Sequence, residues 1–415
     1  MGRSHIAMVG IPAPGHVNPG LEVIRELAAR GYRVSYANDP SFRDVIEATG
    51  AGFVPYRSTL PEVAGPARGG GDPDRESGQA SWEGDVIDQL SVFQRDYEAM
   101  LPQLRAAFES DRPDLFLYDI AAGPARILAM QWGVPAVQLS PTYVAWEGYE
   151  EDMRGFTDGL QADPRGRAYF DRQAAFLAGE GIGMDPAEFF GRPPRAVVLI
   201  PEVLQPNADR VNRDVYTFTG PALAAATGQW QRPAAAEHVL LVSLGSAFTD
   251  RPEFYRSCIE AYGNLPGWHV VLQIGRYVDP AKLGPVPANI EVHPWVPQLR
   301  ILEQADAFLT HAGMGGANEG LFTGTPMIAA PQAVDQFGNA DALVAAGAAV
   351  RIDSVTADAG LLRRALAEVR SPQIVARCAE LSGQLRTAGG TKAAADVVEA
   401  VLADAQAGSG TAPRR

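Results

Sequence analysis

The chain has few cysteines and no long apolar run. Only two cysteines, Cys258 and Cys378, occur among 415 residues, and their separation matches neither a redox pair nor a metal site. We expect both to be reduced thiols in the core of a cytoplasmic protein. No apolar run approaches the roughly 18 residues of a membrane helix, and the first apolar segment is too short for a signal peptide. These absences argue against secretion and against a membrane partner.

Positive charge is also in deficit. Lys and Arg together number 35 against 49 Asp and Glu, which gives a formal net charge of −14. A nucleic-acid partner is not expected, because binding a phosphate backbone draws on a surplus of cationic side chains. An anionic small molecule would therefore have to be held by local backbone dipoles. The pattern G-x-G-x-x-G is absent after the first apolar run, which disfavours a nicotinamide dehydrogenase.

Apolar runs of strand length alternate with helical patterns in both halves of the chain. This alternation is typical of parallel sheets covered by helices. The chain also exceeds the roughly 250 to 300 residues at which a single core stops growing, so we expect two α/β domains. The apolar runs predict strands at 5–11, 32–37, 114–119, 135–140, 238–246, 268–275, 307–310, 326–331 and 348–352.

Local signals predict where elements begin and end. A helix is predicted over 18–31, with Asn18 as its N-cap, Pro19 at its first position and Gly31 just past its end. The segment 220–237, rich in Ala, Gly and Pro, predicts an interdomain linker. The predicted division is an N-terminal domain 1–219, the linker 220–237, a C-terminal domain 238–390, a final helix 391–407 and a flexible tail 408–415, with an irregular loop at 61–81.

The segment FLTHAGMGGANE (308–319) follows a predicted strand and is rich in glycine. Ligands of open α/β sheets bind beyond the carboxyl ends of the strands, and His311 stands at such an end. The glycines behind it leave backbone N–H groups and a helix N-terminus free to approach a phosphate. His311 can donate a hydrogen bond to the same phosphate, and Glu319 suits a ribose diol. The alternative is a glycine-rich turn capped by a histidine.

Two neighbouring segments favour a nucleotide ligand over that alternative. The segment WVPQ (295–298) offers an indole plane that can stack on a base and an amide that can hydrogen-bond to it. The segment PQAVDQFGN (331–339) places Asp335 and Gln336, a carboxylate and an amide suited to sugar hydroxyls, after another predicted strand. Considered singly, Trp295 could be a core residue and Asp335 the N-cap of a helix.

In this order and spacing, these segments resemble the nucleotide-sugar signature of inverting glycosyltransferases that act on natural products. The resemblance extends over nearly the whole chain, is closest to macrolide glycosyltransferases of actinomycetes, and includes the segments GHVNP, LYDIA, LSPTYVAWEGYEED and LGSAFTD. It implies the GT-B fold, in which two Rossmann-like domains face a central cleft. The first domain would hold the acceptor and the second the nucleotide sugar.

The resemblance also implies roles for residues of the second half. Trp295 would stack on the uracil, while the Val296 backbone and Gln298 would contact the base or the ribose. The other implied contacts are Ser246, His311, Gly313, Gly315 and Gly316 for the diphosphate, Glu319 for the ribose, and Asp335 with Gln336 for the hexose. Relatives often have hydroxyl residues where this chain has Gly316 and Ala317, so those phosphate contacts must come from the backbone or be absent. No metal or other cofactor is implied.

A histidine and an aspartate in the first half fit a general base and its orienting partner. His16 lies in the predicted loop after the first strand, and its ordinary pKa of about 6.5 lets it take a proton near pH 7. In the family that the chain resembles, the corresponding histidine deprotonates the acceptor hydroxyl, and an aspartate that matches Asp119 orients it. Such partners meet in space although they are far apart in sequence. Considered singly, His16 could instead cap the nearby helix.

The acceptor site is the least defined by the sequence. The segment LSPTYVAWEGYEED (139–152) supplies Ser140, Tyr143 and Trp146 as candidate contacts for a large apolar acceptor. Its four acidic residues could attract the cationic amino sugar of a macrolide. The alternative is that these aromatic and acidic residues are ordinary core and surface residues.

The sequence thus predicts an inverting glycosyltransferase. It would move a hexose, glucose, from UDP-glucose or a related sugar nucleotide to a hydroxyl of a macrolide or a similar apolar natural product, and so inactivate an antibiotic in its producer. Three alternatives stay open: transfer from a TDP-deoxysugar, a nucleotide-sugar epimerase on the same fold, and a non-catalytic macrolide-binding protein. The pair of His16 and Asp119 argues against the last, since a binding protein needs no base.

Overall fold

The protein folds around two parallel sheets. The computed structural model describes residues 3–61, 84–226, 228–245 and 249–409. Within these residues, the first half of the chain forms a seven-stranded sheet and the second half a six-stranded sheet, and every strand pair is parallel. The α/β class with two Rossmann-like sheets, which the alternating apolar runs predict, is confirmed.

The first sheet carries the region predicted to hold the acceptor. Its strands are β1 (His5–Val9), β2 (Arg33–Asn38), β3 (Gly52–Pro55), β4 (Leu115–Asp119), β5 (Ala136–Ser140), β6 (Ala196–Val198) and β7 (Tyr216–Phe218). They lie in the order β3-β2-β1-β4-β5-β6-β7. The order reverses between β1 and β4, which pair directly. In such sheets a ligand-binding crevice opens at the reversal, beyond the carboxyl ends of the two strands.

The second sheet has the same kind of reversal. Its strands are β8 (His238–Ser243), β9 (Trp268–Gln273), β10 (Ile290–His293), β11 (Ala307–Thr310), β12 (Met327–Ala329) and β13 (Ala349–Arg351). They lie in the order β10-β9-β8-β11-β12-β13. The reversal falls between β8 and β11, which pair directly. The glycine-rich segment that follows β11 therefore leaves the sheet at the crevice.

Helices join the strands and cover both faces of each sheet. Those of the first half are α1 (Pro14–Ala29), α2 (Arg43–Glu47), α3 (Val86–Phe108), α4 (Pro124–Trp132), α5 (Tyr149–Asp152), α6 (Arg154–Ala162), α7 (Pro164–Gly179) and α8 (Pro186–Gly191). Those of the second half are α9 (Pro252–Tyr262), α10 (Gln298–Leu302), α11 (Met314–Thr323), α12 (Gln336–Ala345), α13 (Ala359–Val369), α14 (Pro372–Thr387) and α15 (Gly390–Ser409). Short 3-10 turns occur at Pro40–Phe42, Glu202–Leu204, Ala208–Arg210 and Pro280–Leu283.

Successive residues of a strand serve opposite cores, because their side chains alternate between the two faces of a sheet. In β1, Ile6 and Met8 pack with residues of α1 and α15. Ala7 and Val9 of the same strand pack with residues of α3 and α4. Burial on both faces explains why such strands are unbroken apolar runs in the sequence instead of alternating patterns.

The last helix crosses from the second half of the chain back to the first. Val398 of α15 is fully buried in the cluster that also contains residues of α1. Arg30, which follows α1, makes an ion pair with Glu399 at 2.5 Å. The helix begins at Gly390 and runs to Ser409, so it continues into the segment predicted as a flexible tail; residues 410–415 lie outside the described residues.

The first helix begins earlier than predicted. Helix α1 starts at Pro14, whose fixed backbone angle suits the first turn, and not at an N-cap on Asn18. Pro19 consequently lies inside the helix. His16 therefore belongs to the first turn of α1, and its predicted position in a loop is wrong. The prediction for Gly31 holds, since this residue has a φ of +96° just past the helix end.

The short strands, the predicted loop and the predicted linker differ in how far the sequence predicted them. The strands β3, β6, β7 and β10 have no counterpart among the predicted ones. Apart from Pro61, the predicted loop 61–81 lies outside the described residues. The predicted linker 220–237 contains neither helix nor strand in its described residues, and the domain boundaries stay predictions.

Both cysteines are buried and unpaired, as predicted for core thiols. Burial raises the pKa of the Cys258 thiol, and that of Cys378 to about 12. The helices in the described part of the chain do not combine the length and the apolar character that crossing a bilayer requires.

Candidate active site

His16 and Asp119 meet at the reversal point of the first sheet. His16 lies in the first turn of α1, the helix that follows β1, and Asp119 is the last residue of the neighbouring strand β4. The imidazole Nδ1 lies 2.9 Å from Oδ1 and 3.0 Å from Oδ2 of Asp119. The aspartate is buried, and its Oδ1 also accepts the backbone N–H of Ala121 at 2.8 Å. Asp119 is thereby fixed from two directions and holds the imidazole in one orientation.

The pair has the electrostatics of a base and its orienting partner. A carboxylate beside Nδ1 favours the tautomer with its proton on Nδ1, which leaves the lone pair on Nε2. Burial disfavours the imidazolium, but the charge and hydrogen bond of Asp119 outweigh this effect, so the pKa of His16 is raised above its ordinary value. The side chain is 29% exposed, and the buried aspartate occupies its Nδ1 side. A molecule in the cleft would therefore meet Nε2.

His311 lies at the reversal point of the second sheet, directly after β11. A Cβ added to Gly245 would lie 2.5 Å from the ring carbon Cε1, and one added to Gly313 would overlap Nε2. Gly245 also has a φ of +77°, a conformation that glycine adopts without strain. Both glycines are therefore needed for the imidazole to lie here. Ser246, which the resemblance assigns to the same diphosphate, lies outside the described residues.

Burial keeps the His311 imidazole neutral. It lowers the pKa of His311 to about 4, against the opposing effects of the Asp335 charge and the Ser243 carbonyl. The Ser243 carbonyl is near the ring, but neither it nor another described group meets hydrogen-bond geometry at the buried Nδ1. A neutral imidazole still has one N–H donor. His311 can therefore donate to a phosphate oxygen without bringing a positive charge.

The glycine-rich segment opens helix α11. Gly313 is the N-cap, and the helix begins at Met314, so the backbone N–H groups of Met314, Gly315 and Gly316 have no acceptor within the helix. The N–H of Ala317 donates to the Gly313 carbonyl at 3.0 Å and is not available to a ligand. Three donors that make no hydrogen bond to another described residue, together with the positive end of a helix dipole, thus lie beside His311. This arrangement is suited to an anion.

The predicted base and ribose contacts lie near this helix. Trp295 is 65% exposed, so the alternative that it is a core residue is wrong. Val296 is buried, and its backbone N–H donates to Oε1 of Gln273 at 3.2 Å. Gln298 Nε2 donates to Oε2 of Glu319 at 2.6 Å. Burial raises the pKa of Glu319, against the effect of this hydrogen bond. Gln298, predicted to contact the base or the ribose, therefore bonds to Glu319, predicted to contact the ribose, and the sequence did not predict this bond.

Asp335 and Gln336 lie at the start of α12. Asp335 holds the N-cap position, but its side chain makes no capping hydrogen bond. Its Oδ2 instead accepts the side-chain amide of Asn339 at 2.9 Å. Gln336 is buried, and its Oε1 accepts the backbone N–H groups of Gln332 at 2.9 Å and Ala333 at 3.2 Å. Asp335 is exposed, whereas the oxygen of Gln336 holds its own loop and leaves only the NH2 group for a sugar.

The two halves bring these groups to one cleft. The negative charge of Asp335 favours the protonated form of His16 in the first half and of His311 in the second. One carboxylate is therefore within electrostatic reach of both histidines. The segments that follow β5 and β12 also touch, since the Tyr143 hydroxyl donates to Oδ1 of Asn339 at 2.7 Å. The carboxyl ends of the two sheets thus face each other, which is the arrangement of a GT-B cleft.

Of the three residues predicted to contact the acceptor, Ser140 does not present its side chain to the cleft. It is fully buried at the end of β5, and its hydroxyl donates to the Thr142 carbonyl at 2.8 Å to close a turn. The Tyr143 hydroxyl donates to Oδ1 of Asn339 at 2.7 Å. Tyr143 and Trp146 are both partly exposed and keep ring surface that an apolar acceptor could contact.

The acidic residues of the segment 139–152 are largely paired. The ion pairs are Glu150 with Arg192 at 2.7 Å, Asp152 with Arg210 at 2.8 Å, and Glu151 with Arg154 at 3.9 Å. In the part of the chain that the structure describes, Glu147 has no such partner. The charge available to a cationic acceptor is therefore much smaller than four acids imply, and their predicted attraction for an amino sugar is not favoured.

Two residues of the site, Gly245 and Asn339, were not predicted from the sequence. Gly245 lies inside the predicted strand 238–246, two residues past the end of β8, and a glycine inside a strand pattern signals a close approach of other atoms. Asn339 lies four residues after Asp335, a spacing that places two side chains on one face of a helix. Both signals are present in the sequence. The contact of Asn339 with Tyr143 has no local signal, because it joins residues of different halves.

Comparison with known proteins shows which family the chain belongs to. Residues 194–375 match the family model described as UDP-glucoronosyl and UDP-glucosyl transferase. An oleandomycin glycosyltransferase of Streptomyces antibioticus is 54% identical over 406 residues, which cover 96% of this chain and 91% of that protein. A demethyllactenocin mycarosyltransferase of Streptomyces fradiae is 31% identical, with 97% of this chain and 87% of that protein covered.

Solved structures of glycosyltransferases have the same fold. The glycotransferase of kitacinnamycin has a TM-score of 0.88 at 50% identity, covering 97% of this chain and 100% of that chain. CalG4, the calicheamicin glycosyltransferase, has a TM-score of 0.84 at 30% identity, covering 97% and 99%. The predicted GT-B fold is confirmed. The chain belongs to the family of UDP-glucoronosyl and UDP-glucosyl transferases and is a sugar-transferring enzyme.

Proposed function

We propose that this enzyme transfers glucose from UDP-glucose to a hydroxyl of a macrolide antibiotic with inversion at the anomeric carbon, and so inactivates the antibiotic. The observation that carries the proposal is the pairing of His16 with Asp119 at 2.9 Å on one side of a cleft. The other side carries a neutral His311 and the open N-terminus of α11. A base thus faces an anion site, which is what transfer from a nucleotide sugar to a hydroxyl needs.

Relatives support the choice of donor and acceptor. The matching family description includes UDP-glucosyl transfer, and the relative that is 54% identical acts, by its name, on oleandomycin. The relative that is 31% identical transfers, by its name, a mycarosyl group. A donor with another sugar, such as a TDP-deoxysugar, is therefore the competing hypothesis.

In the proposed reaction, His16 is the general base. The acceptor hydroxyl loses its proton to Nε2 of His16 while its oxygen forms a bond to the anomeric carbon. The imidazolium that forms is stabilised by the Asp119 carboxylate against Nδ1. The oxygen attacks from the face opposite the nucleotide, so the configuration inverts.

On the other side of the anomeric carbon, the bond to the diphosphate breaks and negative charge develops on the leaving UDP. The free N–H groups of Met314, Gly315 and Gly316 and the N–H of His311 are the donors that would stabilise this charge. Donors already in place need no rearrangement as the charge develops. Trp295 would stack on the uracil, and Asp335 with the Gln336 amide would hold the hexose hydroxyls.

The function is tested by product analysis. The enzyme incubated with oleandomycin and UDP-glucose is expected to give a glycoside heavier by one hexose residue in the mass spectrum, with a β linkage by NMR. UDP should be released only when the macrolide is present. A product formed only from TDP-deoxysugars would favour the competing donor. UDP release or an epimerised sugar without acceptor would contradict transfer to a macrolide.

Replacing the base should stop the chemistry but not donor binding. We expect His16→Ala to lower turnover by about 10²- to 10⁴-fold, the usual contribution of a positioned base, and to leave the calorimetric affinity for UDP unchanged. His238→Ala is the matched control, since His238 pairs with Asp306 at the start of the second sheet. Turnover of His16→Ala close to that of the control would remove His16 from the mechanism.

The pH dependence should follow the interaction with Asp119. The pKa of His16 is raised above the ordinary histidine pKa of about 6.5. The neutral form, which acts as the base, therefore becomes the major form only at a pH above about 6.5. We expect kcat/KM to rise with pH as this form accumulates. Asp119→Asn removes the charge that favours the imidazolium. We expect its acid limb to move to lower pH while its maximal rate falls. A limb that stays in place or moves to higher pH would show that Asp119 does not set this titration.

A further inference from the structure

A hydrogen-bond chain of side chains joins the two halves of the enzyme. The Tyr143 hydroxyl, in the segment after β5, donates to Oδ1 of Asn339 at 2.7 Å. The Nδ2 group of Asn339 donates to Oδ2 of Asp335 at 2.9 Å. The chain thus runs from the acceptor half to the carboxylate at the start of α12. The mechanism proposed above uses Asp335 and gives no role to the other two groups.

The direction of these hydrogen bonds is fixed by chemistry. An ionised carboxylate only accepts hydrogen bonds, so the NH2 group of Asn339 must face Asp335. The amide oxygen then faces Tyr143, which must donate. Turning the amide over would place its oxygen against the carboxylate. Asn339 is fully buried, so it has no water to replace a lost partner.

Tyr143 is suited to remain the donor. Burial, with the charge of Asp335 adding to it, raises the pKa of Tyr143 to about 12. The phenol therefore keeps its proton at the pH at which the enzyme works. The hydrogen bond persists as long as the two halves stay in contact at this point.

The orientation of the Asp335 carboxylate depends on the hydrogen bond from Asn339. Its side chain is exposed and makes no capping hydrogen bond to its own helix. An exposed carboxylate without a fixed partner would sample several rotamers. The amide of Asn339 selects the one in which Oδ2 is bonded, which leaves Oδ1 for another ligand.

We propose that Tyr143 and Asn339 are positioning residues that direct the Asp335 carboxylate toward the sugar of the nucleotide sugar. Because the Tyr143 hydroxyl comes from the acceptor half, the affinity for the sugar depends on contact between the two halves. The inference rests on the proposed function, which assigns Asp335 to the hexose. It adds that selectivity for the sugar is set partly by a residue of the opposite half.

The proposal predicts a loss that is specific to the sugar. Tyr143→Phe keeps the ring and removes only the hydroxyl, so Asn339 loses a partner and the carboxylate loses its fixed direction. We expect the affinity for UDP-glucose to fall about three- to tenfold, as for one neutral hydrogen bond, while the affinity for UDP, which has no sugar, stays within about twofold. In steady-state kinetics the KM for UDP-glucose should rise more than kcat falls.

The experiment is isothermal calorimetry with UDP-glucose and with UDP on five proteins. These are the wild type, Tyr143→Phe, Asp335→Ala, the double variant of both, and Tyr262→Phe. The last is the matched control, because it also loses one phenol hydrogen bond, to the Leu362 carbonyl at 3.2 Å in another core of the second half. Thermal unfolding of each protein accompanies the titrations. Asn339→Ser, which removes the amide, serves as a second variant if Tyr143→Phe unfolds.

The outcomes distinguish failure of the positioning role from failure of the proposed function. Positioning predicts that Asp335→Ala weakens UDP-glucose binding and that the double variant is no weaker than Asp335→Ala alone, because both changes act through one carboxylate. Additive losses, equal losses for UDP and UDP-glucose, or no loss in Tyr143→Phe would overturn the positioning role and leave Asp335 in place. Unchanged UDP-glucose binding in Asp335→Ala would overturn the assignment of Asp335 to the hexose, and the positioning role with it.

Discussion

The hydrogen bond between His16 and Asp119 is the interaction on which the account of this enzyme depends. It requires β1 and β4 to be neighbours in the sheet although the two residues are 103 positions apart in sequence. The buried carboxylate fixes the tautomer of the imidazole and leaves Nε2 toward the cleft. Without it, His16 would be a partly exposed histidine in the first turn of a helix, and nothing would identify it as a base.

Two histidines face this cleft with opposite properties. Asp119 raises the pKa of His16, which suits a group that must take a proton. Burial lowers the pKa of His311 to about 4, which suits a neutral donor. Environments that push two pKa values apart commonly mark different roles in one site. The anion side relies on backbone N–H groups and a helix terminus, and this is consistent with a chain whose net charge is −14.

Much of the fold and the site could be predicted from the sequence, for physical reasons. Strands buried on both faces are continuous apolar runs, and a glycine-rich segment after such a run indicates close approach to a ligand. Two failures were local: Pro14 begins α1 ahead of Asn18, and the Ser140 hydroxyl closes a turn onto the Thr142 carbonyl. A third depended on tertiary contacts, because arginines distant in sequence pair with two of the four acids near Trp146. Sequence patterns do not record which side chains meet across a fold.

The state of His16 is the most direct test of the central claim. Nitrogen-15 NMR of histidine-labelled enzyme, with the His16 signal assigned by its loss in His16→Gln, reports both the tautomer and the pKa. We expect the neutral ring to carry its proton on Nδ1 and to titrate above about 6.5, the ordinary pKa of a histidine. A ring protonated on Nε2, or one that titrates below that value, would contradict the account of His16 as a base held by Asp119.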